Sequence, residues 1–298
     1  MSGFQLQRLG ILMEPEPGNP QEIEGVLNPA ATRGPDGMLY LFPRYVAKGN
    51  YSRIGIARVK FNEVGDPCGV ERLGIALEPS ADYERRSDGS GGCEDARVTF
   101  VEPLRHYVMT YTALSPGGPR MVDREHESIW ISYCPMPPKG LVPHRPGLFN
   151  SHHRLATPVS PWEKLKIGGG TPPVLTKYGW LILYHGVSKM AEPGNDGRQL
   201  CYSAGVMLLS KAHPHEILYR SAEPVLTPEL PQERHGTIAN VVFPTGIDRR
   251  DDLGSPDRFD VYFGMADNRI GVARLDMPEY LPPGALADKD GAKTGGQE

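Results

Sequence analysis

The chain has 298 residues, with 35 glycines, 30 prolines, four cysteines and a formal net charge of −4. That length allows a sizeable core in one large domain or two small ones. The slightly acidic balance excludes the basic field that nucleic acid or an anionic membrane surface would require.

The opening segment MSGFQLQRLGILMEPEPGNP lacks an apolar core of signal-peptide length and breaks at prolines. No later stretch approaches the roughly 20 apolar residues that a membrane span needs. A soluble, cytoplasmic protein is the expectation. Glycine and proline are spread throughout, which favours many short strands joined by turns over long helices.

Three units follow one another along the chain. Residues 38–42 (MLYLF) precede 53–59 (RIGIARV), and 179–184 (GWLILY) precede 202–208 (YSAGVML). Residues 259–264 (FDVYFG) precede 269–275 (RIGVARL). Each unit is an aromatic strand, a polar loop and a strand with a central small residue, a residue that fits a narrow axis where inner strands crowd. The echo of SRIGIARV in NRIGVARL suggests a repeated several-stranded unit, which points to an all-β β-propeller over residues 1–285. A two-sheet sandwich would also supply many short strands, without requiring the echo. Residues 286–298, small and polar, are expected to be a disordered tail.

The densest chemistry lies in Gly91-Gly92-Cys93-Glu94-Asp95-Ala96-Arg97, ahead of the apolar run 98–101. The two glycines suggest a sharp turn that delivers Glu94 and Asp95 to a strand end. Adjacent carboxylates repel and can raise one carboxyl pKa, as a general acid near neutral pH requires. The plainer reading is an exposed acidic turn with an ion pair from Asp95 to Arg97.

Further polar candidates occupy strand ends and loops: Asn28, Arg53, Lys166, His185, Asn240 and Asp267. In a propeller, loops from successive blades converge at one end of the channel, so these could share a pocket. Lys166, beside Gly168-Gly169-Gly170, is a fixed cation next to backbone that a ligand can approach closely. Tyr111, Trp130, Trp180 and Tyr184 are candidate sugar-stacking faces, although strand aromatics more often serve the core. The four cysteines, Cys68, Cys93, Cys134 and Cys201, form no CxxC pair, so reduced thiols are expected. His213 and His215 look like a metal pair without a third ligand, and no metal or cofactor is expected.

Taken together, NPAA (28–31), SRIGIAR (52–58), GGCEDARVTFVE (91–102), KLKIGGGTPPVLTKYGWLILYHGV (164–187), NVVFPTG (240–246) and VYFGMADNRIGVARL (261–275) resemble glycoside hydrolase family 130. YVMTYTA (107–113), IWISY (129–133) and ILYRSAEPVLTP (217–228) keep the family order, so the resemblance spans nearly the whole chain. It implies a five-bladed propeller and an inverting β-mannoside phosphorylase, with inorganic phosphate as co-substrate and α-mannose 1-phosphate as product. Asp95 then corresponds to the proton donor, acting directly or through a mannosyl hydroxyl. Lys166 matches the phosphate and donor-sugar region, Asn28, Arg53, His185 and Asp267 match pocket positions, and Glu94 and Asn240 are further substrate-binding candidates.

Two departures stand out. Ala96 replaces the family's usual proline, and Arg120 runs almost directly into the IWISY strand, where the family carries a longer segment with phosphate-binding basic residues. Arg120 and Arg124 are the candidate replacements, and a segment missing between Arg120 and Ile129 is expected. A β-mannosidase with Glu94 or Glu233 as base, and a non-catalytic sugar-binding propeller, are the alternative readings. A homo-oligomer is left open.

Overall fold

The computed structural model describes residues 3–86, 88–114, 129–133, 151–190 and 199–285. Arg120, Arg124, the 120–129 junction, Cys134 and the tail 286–298 lie outside these residues.

The described chain is all-β, as the turn-rich composition implies. In chain order the strands are β1 (Gln5–Met13), β2 (Gly25–Arg33), β3 (Leu39–Ala47), β4 (Tyr51–Phe61), β5 (Pro67–Leu77) and β6 (Gly91–Val101). They continue with β7 (His106–Leu114), β8 (Ile129–Tyr133), β9 (Ser151–Ala156), β10 (Lys166–Gly169), β11 (Val174–Thr176) and β12 (Gly179–Lys189). The last are β13 (Leu200–Leu209), β14 (Ile217–Arg220), β15 (Val242–Arg249), β16 (Arg258–Met265) and β17 (Arg269–Asp276). The single α-helical turn among the described residues, α1, is Pro231–Arg234.

One sheet has the order β2-β3-β4-β6-β7, with β5 also pairing β4. A second runs β10-β12-β13-β14, and β8 pairs with β9. In the last sheet, β15-β16-β17, the N-terminal strand β1 adds antiparallel to β17, so both ends of the described chain share one sheet.

Core side chains lie between sheets. Leu39, Leu41 and Tyr45 of β3 pack with Tyr262, Ile270 and Val272 of the last sheet. Leu181, Leu183 and Val206 pack with Phe259, Val261 and Leu275. Alternate residues of each strand therefore serve an apolar layer, following the two-residue period.

The echoed small residues have a different purpose from the expected one. SRIGIARV and NRIGVARL fall in β4 and β17, each third in its antiparallel run, away from the place where first strands meet. A Cβ at Gly55 would lie 2.4 Å from the Tyr45 ring, and one at Gly271 would lie 2.6 Å from the Phe263 ring. Gly205 relates to Tyr184 in the same way, at 2.8 Å. The glycine makes room for the aromatic ring of the preceding strand, which is why the two recur together.

The first strands do crowd. Gly246 of β15 has no space for a Cβ beside Pro29 O and Ala31 of β2. Thr245 Oγ1 donates to Pro29 O at 2.8 Å, and this contact is buried.

Candidate functional site

Gly91 and Gly92 do not form a turn ahead of the strand: they are its first residues, with φ of +92° and +112°. There β6 pairs in parallel with Tyr51 and Ser52 of β4. A Cβ on Gly92 would stand 2.0 Å from Ser52 O, so the glycine is required by this close approach as well as by its φ. Glu94 and Asp95 consequently lie within β6, and the exposed acidic turn is overturned: Glu94 is buried.

Asp95 occupies a bulge. The register with β7 slips between Glu94 and Arg97, leaving Asp95 and Ala96 as the extra stretch. β2 slips in the same manner between Leu27 and Ala30, around Asn28 and Pro29. Asn28 and Asp95 adopt φ of +45° and +50°, and Asn240 and Asp267 adopt +60° and +49°. Four residues selected from sequence thus share the left-handed region, which is uncommon outside glycine and clusters at functional sites.

The bulges bring distant side chains together. Asn28 Nδ2 donates to Asp95 Oδ1 at 3.0 Å. Asn28 Oδ1 is buried without a partner among the described residues, and Gly264 provides its space, since a Cβ there would lie 2.0 Å away. Arg44 of β3 is the hub. Its guanidinium donates to Glu94 Oε1 at 2.6 Å, to Ser52 Oγ at 2.9 Å and to Asn50 Oδ1 at 3.0 Å, and it reaches Asp95 Oδ1 at 3.7 Å. Burial raises the Glu94 pKa, opposed by Arg44. Asp267, in the β16–β17 turn, is raised to about 6 by burial first and the Asp95 charge second.

A second group lines up beside it. Arg97 donates to Gly170 O at 2.6 Å and to its near neighbour Asp95 O at 2.8 Å, so it meets the Asp95 backbone and not its carboxylate. Its guanidinium lies 5.9 Å from the Phe243 ring centroid. His185 packs edge-on against Phe243 at 4.4 Å and beside Tyr202 at 6.1 Å, and Lys166 Nζ lies 5.8 Å from the Tyr202 centroid. Burial, then the Lys166 charge, lower the His185 pKa to about 3, so its ring is neutral. With Nδ1 3.2 Å from Gly169 O, the tautomer that donates there leaves Nε2 as an acceptor. Asn240 joins through its backbone, its carbonyl accepting from Tyr202 N–H at 2.9 Å.

Arg53 is not brought to the acid. Its Nε contacts Glu78 at 2.8 Å and its guanidinium covers the Tyr51 ring at 4.5 Å. Ser52, adjacent in β4, bonds Glu94, so the two-residue period turns Arg53 to the other face. Glu233 lies elsewhere, fully buried and held by Arg8 Nε at 2.8 Å and the backbone N–H groups of Glu229 and Leu230.

Tyr184 is a core residue bonded to Glu163 and Arg220, whereas Tyr111 lines the cleft. His153 stacks on His215 at 4.6 Å, with His213 6.0 Å from His215, yet no group of three metal-ligating side chains arranged to hold an ion occurs among the described residues. Sequence reasoning missed Arg44, Phe243 and Tyr202. No sequence signal marks Arg44: its position opposite Leu27, one residue before the Asn28 bulge, comes from the strand register.

Asp95 and Arg97 open into a cleft of about 670 Å³ between β6–β7 and the 169–173 segment, with Phe243 in its wall. Residues 149–282 match the sequence profile of a family described as beta-1,4-mannooligosaccharide phosphorylase. Over these residues the chain is similar to glycoside hydrolase family 130. It is 35% identical over 160 residues to a 1,2-beta-oligomannan phosphorylase of Thermoanaerobacter sp. (strain X514), covering 53% of this chain and 46% of that one. It is 31% identical over 243 residues to a beta-1,2-mannobiose phosphorylase of Listeria innocua, covering 78% and 60%. The chain thus spans about half the length of these curated relatives.

A family 130 structure aligns over 96% of this chain and 97% of its own, with TM-score 0.67 and 19% identity. It was reported with the statement that the GH130 family of mannoside phosphorylases contains glycoside hydrolases that target beta-1,2 mannosidic linkages in Candida mannan. At that identity the likeness speaks to the fold alone.

Proposed function

We propose that this chain is an inverting β-mannoside phosphorylase, a transferase that moves a mannosyl group from a saccharide to inorganic phosphate. The observation that carries the reading is the presence of Asp95 and Arg97 in one cleft lining, with neutral His185 packed on the Phe243 of that lining and close enough to Lys166 to feel its charge. Asp95 supplies the proton to the glycosidic oxygen, directly or through a mannosyl hydroxyl. The bond from that oxygen to the anomeric carbon breaks as a phosphate oxygen attacks the opposite face. The products are α-mannose 1-phosphate and the shortened saccharide, and Asp95 is left ionised beside Asn28 Nδ2 and Arg44. Lys166 is the cation we assign to the anion.

Phosphate arrives as an anion, so phosphorolysis requires the acid but no general base. Both carboxylates considered as a base for hydrolysis are committed elsewhere: Glu94 to Arg44 and Ser52, Glu233 to Arg8 and backbone. This favours phosphate over water as acceptor.

We also infer that the sheets are blades of a five-bladed propeller. The support is the meeting of first strands β2, β6 and β15, and the apolar layers between successive sheets.

The test is incubation with β-1,2- and β-1,4-mannobiose, with and without phosphate, followed by phosphorus NMR. Phosphate-dependent α-mannose 1-phosphate is expected. Free mannose released at an equal rate without phosphate would identify a hydrolase.

A further inference from the structure

The turn between β16 and β17 carries Asp267 on a backbone that the preceding residue resists. Met265 O accepts from Asn268 N–H at 3.0 Å, and the two residues between, Ala266 and Asp267, have φ of +46° and +49°. Positive φ at both central positions is the pattern of a type I′ turn, which ordinarily takes Asn-Gly or Asp-Gly. Aspartate tolerates the left-handed region, whereas the Cβ of alanine crowds the following carbonyl oxygen there. Local preference therefore does not account for Ala266, and contacts from outside the turn must impose its conformation.

Those contacts come from residues 236–241. Ala266 N–H donates to Val241 O at 3.0 Å, and Ala266 O accepts from Ile238 N–H at 3.1 Å. Gly236 packs on the same residue: a Cβ there would stand 2.3 Å from Ala266 O and 2.7 Å from Ala266 Cβ. Ala266 is fully buried. The segment is fixed from behind, since Val241 N–H donates to Glu233 O at 3.0 Å and the Glu233 carboxylate is held by Arg8 of β1 at 2.8 Å. β2 closes the other side of the turn. Val26 N–H donates to Asn268 O at 3.1 Å, and a Cβ on Gly25 would lie 3.1 Å from Asp267 O. Thr237 Oγ1 joins the two flanks by donating to Glu24 O at 3.1 Å. Two residues beyond Val26, Asn28 donates to Asp95, so β2 sets the places of Asp267 and Asp95 together.

We propose that residues 236–241 form a clamp that holds Asp267 beside Asp95, with Gly236 and Ala266 as positioning residues for the reaction. Glu233 is the foot of this clamp and acts at one remove. The need for it is electrostatic: burial and the Asp95 charge both disfavour an ionised Asp267, and a loose turn would let that carboxylate swing out to water. As a statement about catalysis the proposal rests on the phosphorolysis reading, to which it adds the residues that place Asp267.

The experiment is a double-mutant cycle on kcat/KM for phosphorolysis of mannobiose of the linkage the enzyme accepts, with Gly236→Ala and Asp267→Asn. Asparagine keeps the left-handed backbone and removes the carboxylate. Gly236→Ala is expected to cost about tenfold in otherwise wild-type protein, as a displaced group does. In the Asp267→Asn background it is expected to cost less than about twofold, because residues that act as one unit are not additive. Equal losses in the two backgrounds would mark a general structural defect and overturn the proposal. If Gly236→Ala does not fold, Thr237→Val, which deletes one exposed hydroxyl, replaces it with an expected loss of about threefold that again depends on Asp267. No loss, or a loss independent of Asp267, overturns the proposal in the same way.

If no mannoside yields mannose 1-phosphate, the phosphorolysis reading fails by itself, and carbon NMR titration of the aspartate carboxyl groups decides the clamp. The charges that reach Asp267 are those of Asp95 on β6 and Arg44 on β3. In the clamp variant the Asp267 titration should fall from about 6 toward the ordinary aspartate value, as the group leaves its buried place beside Asp95. The same titration in wild type and variant overturns the proposal.

Discussion

Asp95 is held in a left-handed conformation at the bulge, with Asn28 on its carboxylate and Arg97 on its carbonyl. Asparagine tolerates this backbone nearly as well as aspartate, so Asp95→Asn should keep the fold while removing the transferable proton. Turnover is expected to fall by at least about 10², with an unchanged melting temperature; retention of most activity would move the acid elsewhere. Asp267 behaves differently. Its pKa is raised to about 6 in the folded protein, first by burial and then by Asp95, with Arg44 opposing. Between the ordinary aspartate value and about 6 the folded state binds more protons than the unfolded one, so stability falls as pH rises through this window. Asp267→Asn removes that loss. The variant should exceed wild type by on the order of 1–2 kcal/mol at pH 8 and show no gain below pH 4, measured by urea unfolding. Equal pH profiles for the two proteins would refute it.

At the scale of elements, the junction of β4 with β6 decides where Asp95 stands. Two residue pairs, Tyr51 with Gly91 and Ser52 with Gly92, join strands that otherwise diverge. Gly92→Ala would drive a methyl group into Ser52 O at a φ that alanine resists, displacing the Ser52–Glu94–Arg44 contacts. A loss of about 2–4 kcal/mol is expected, together with most of the activity. Gly69 in β5 is the control: a Cβ there meets nothing within 4 Å, so Gly69→Ala should stay within about 0.5 kcal/mol of wild type. Similar losses for both variants would show that strand propensity, and not the close approach, sets the cost.

At the scale of the molecule, a charged network ties the first sheet to the last on the side away from the acid's hydrogen bonds. Asp260, fully buried in β16, receives Arg250 at 2.6 Å and Arg274 at 2.9 Å. Arg274 reaches Asp66 between β4 and β5 at 2.6 Å, and Arg33 of β2 pairs with Asp248 of β15 at 2.7 Å. Asp260→Ala would leave two arginines without their buried counter-charge, at a cost of about 3–5 kcal/mol. Denaturant unfolding should register that loss with an unchanged slope. A loss below about 1 kcal/mol would mean that the apolar layer between these sheets suffices without the network.

The sequence by itself determined the all-β class, because turn residues and aromatic–glycine pairs are local signals that repeat with the strands. It also marked Asn28, Asp95, Asn240 and Asp267, since polar residues beside glycine, proline or a bulge are legible as short motifs. Tertiary structure alone decided which arginine meets Asp95. Arg44 and Arg53 look equivalent in the chain, yet strand pairing directs Arg44 to Glu94 and Asp95 and turns Arg53 toward Glu78. It also placed Phe243 and Tyr202 between Arg97, His185 and Lys166, and it committed Glu233 to Arg8. These relations depend on register and on contacts between sheets, where a one-residue shift reverses the face a side chain occupies. No local pattern carries that information.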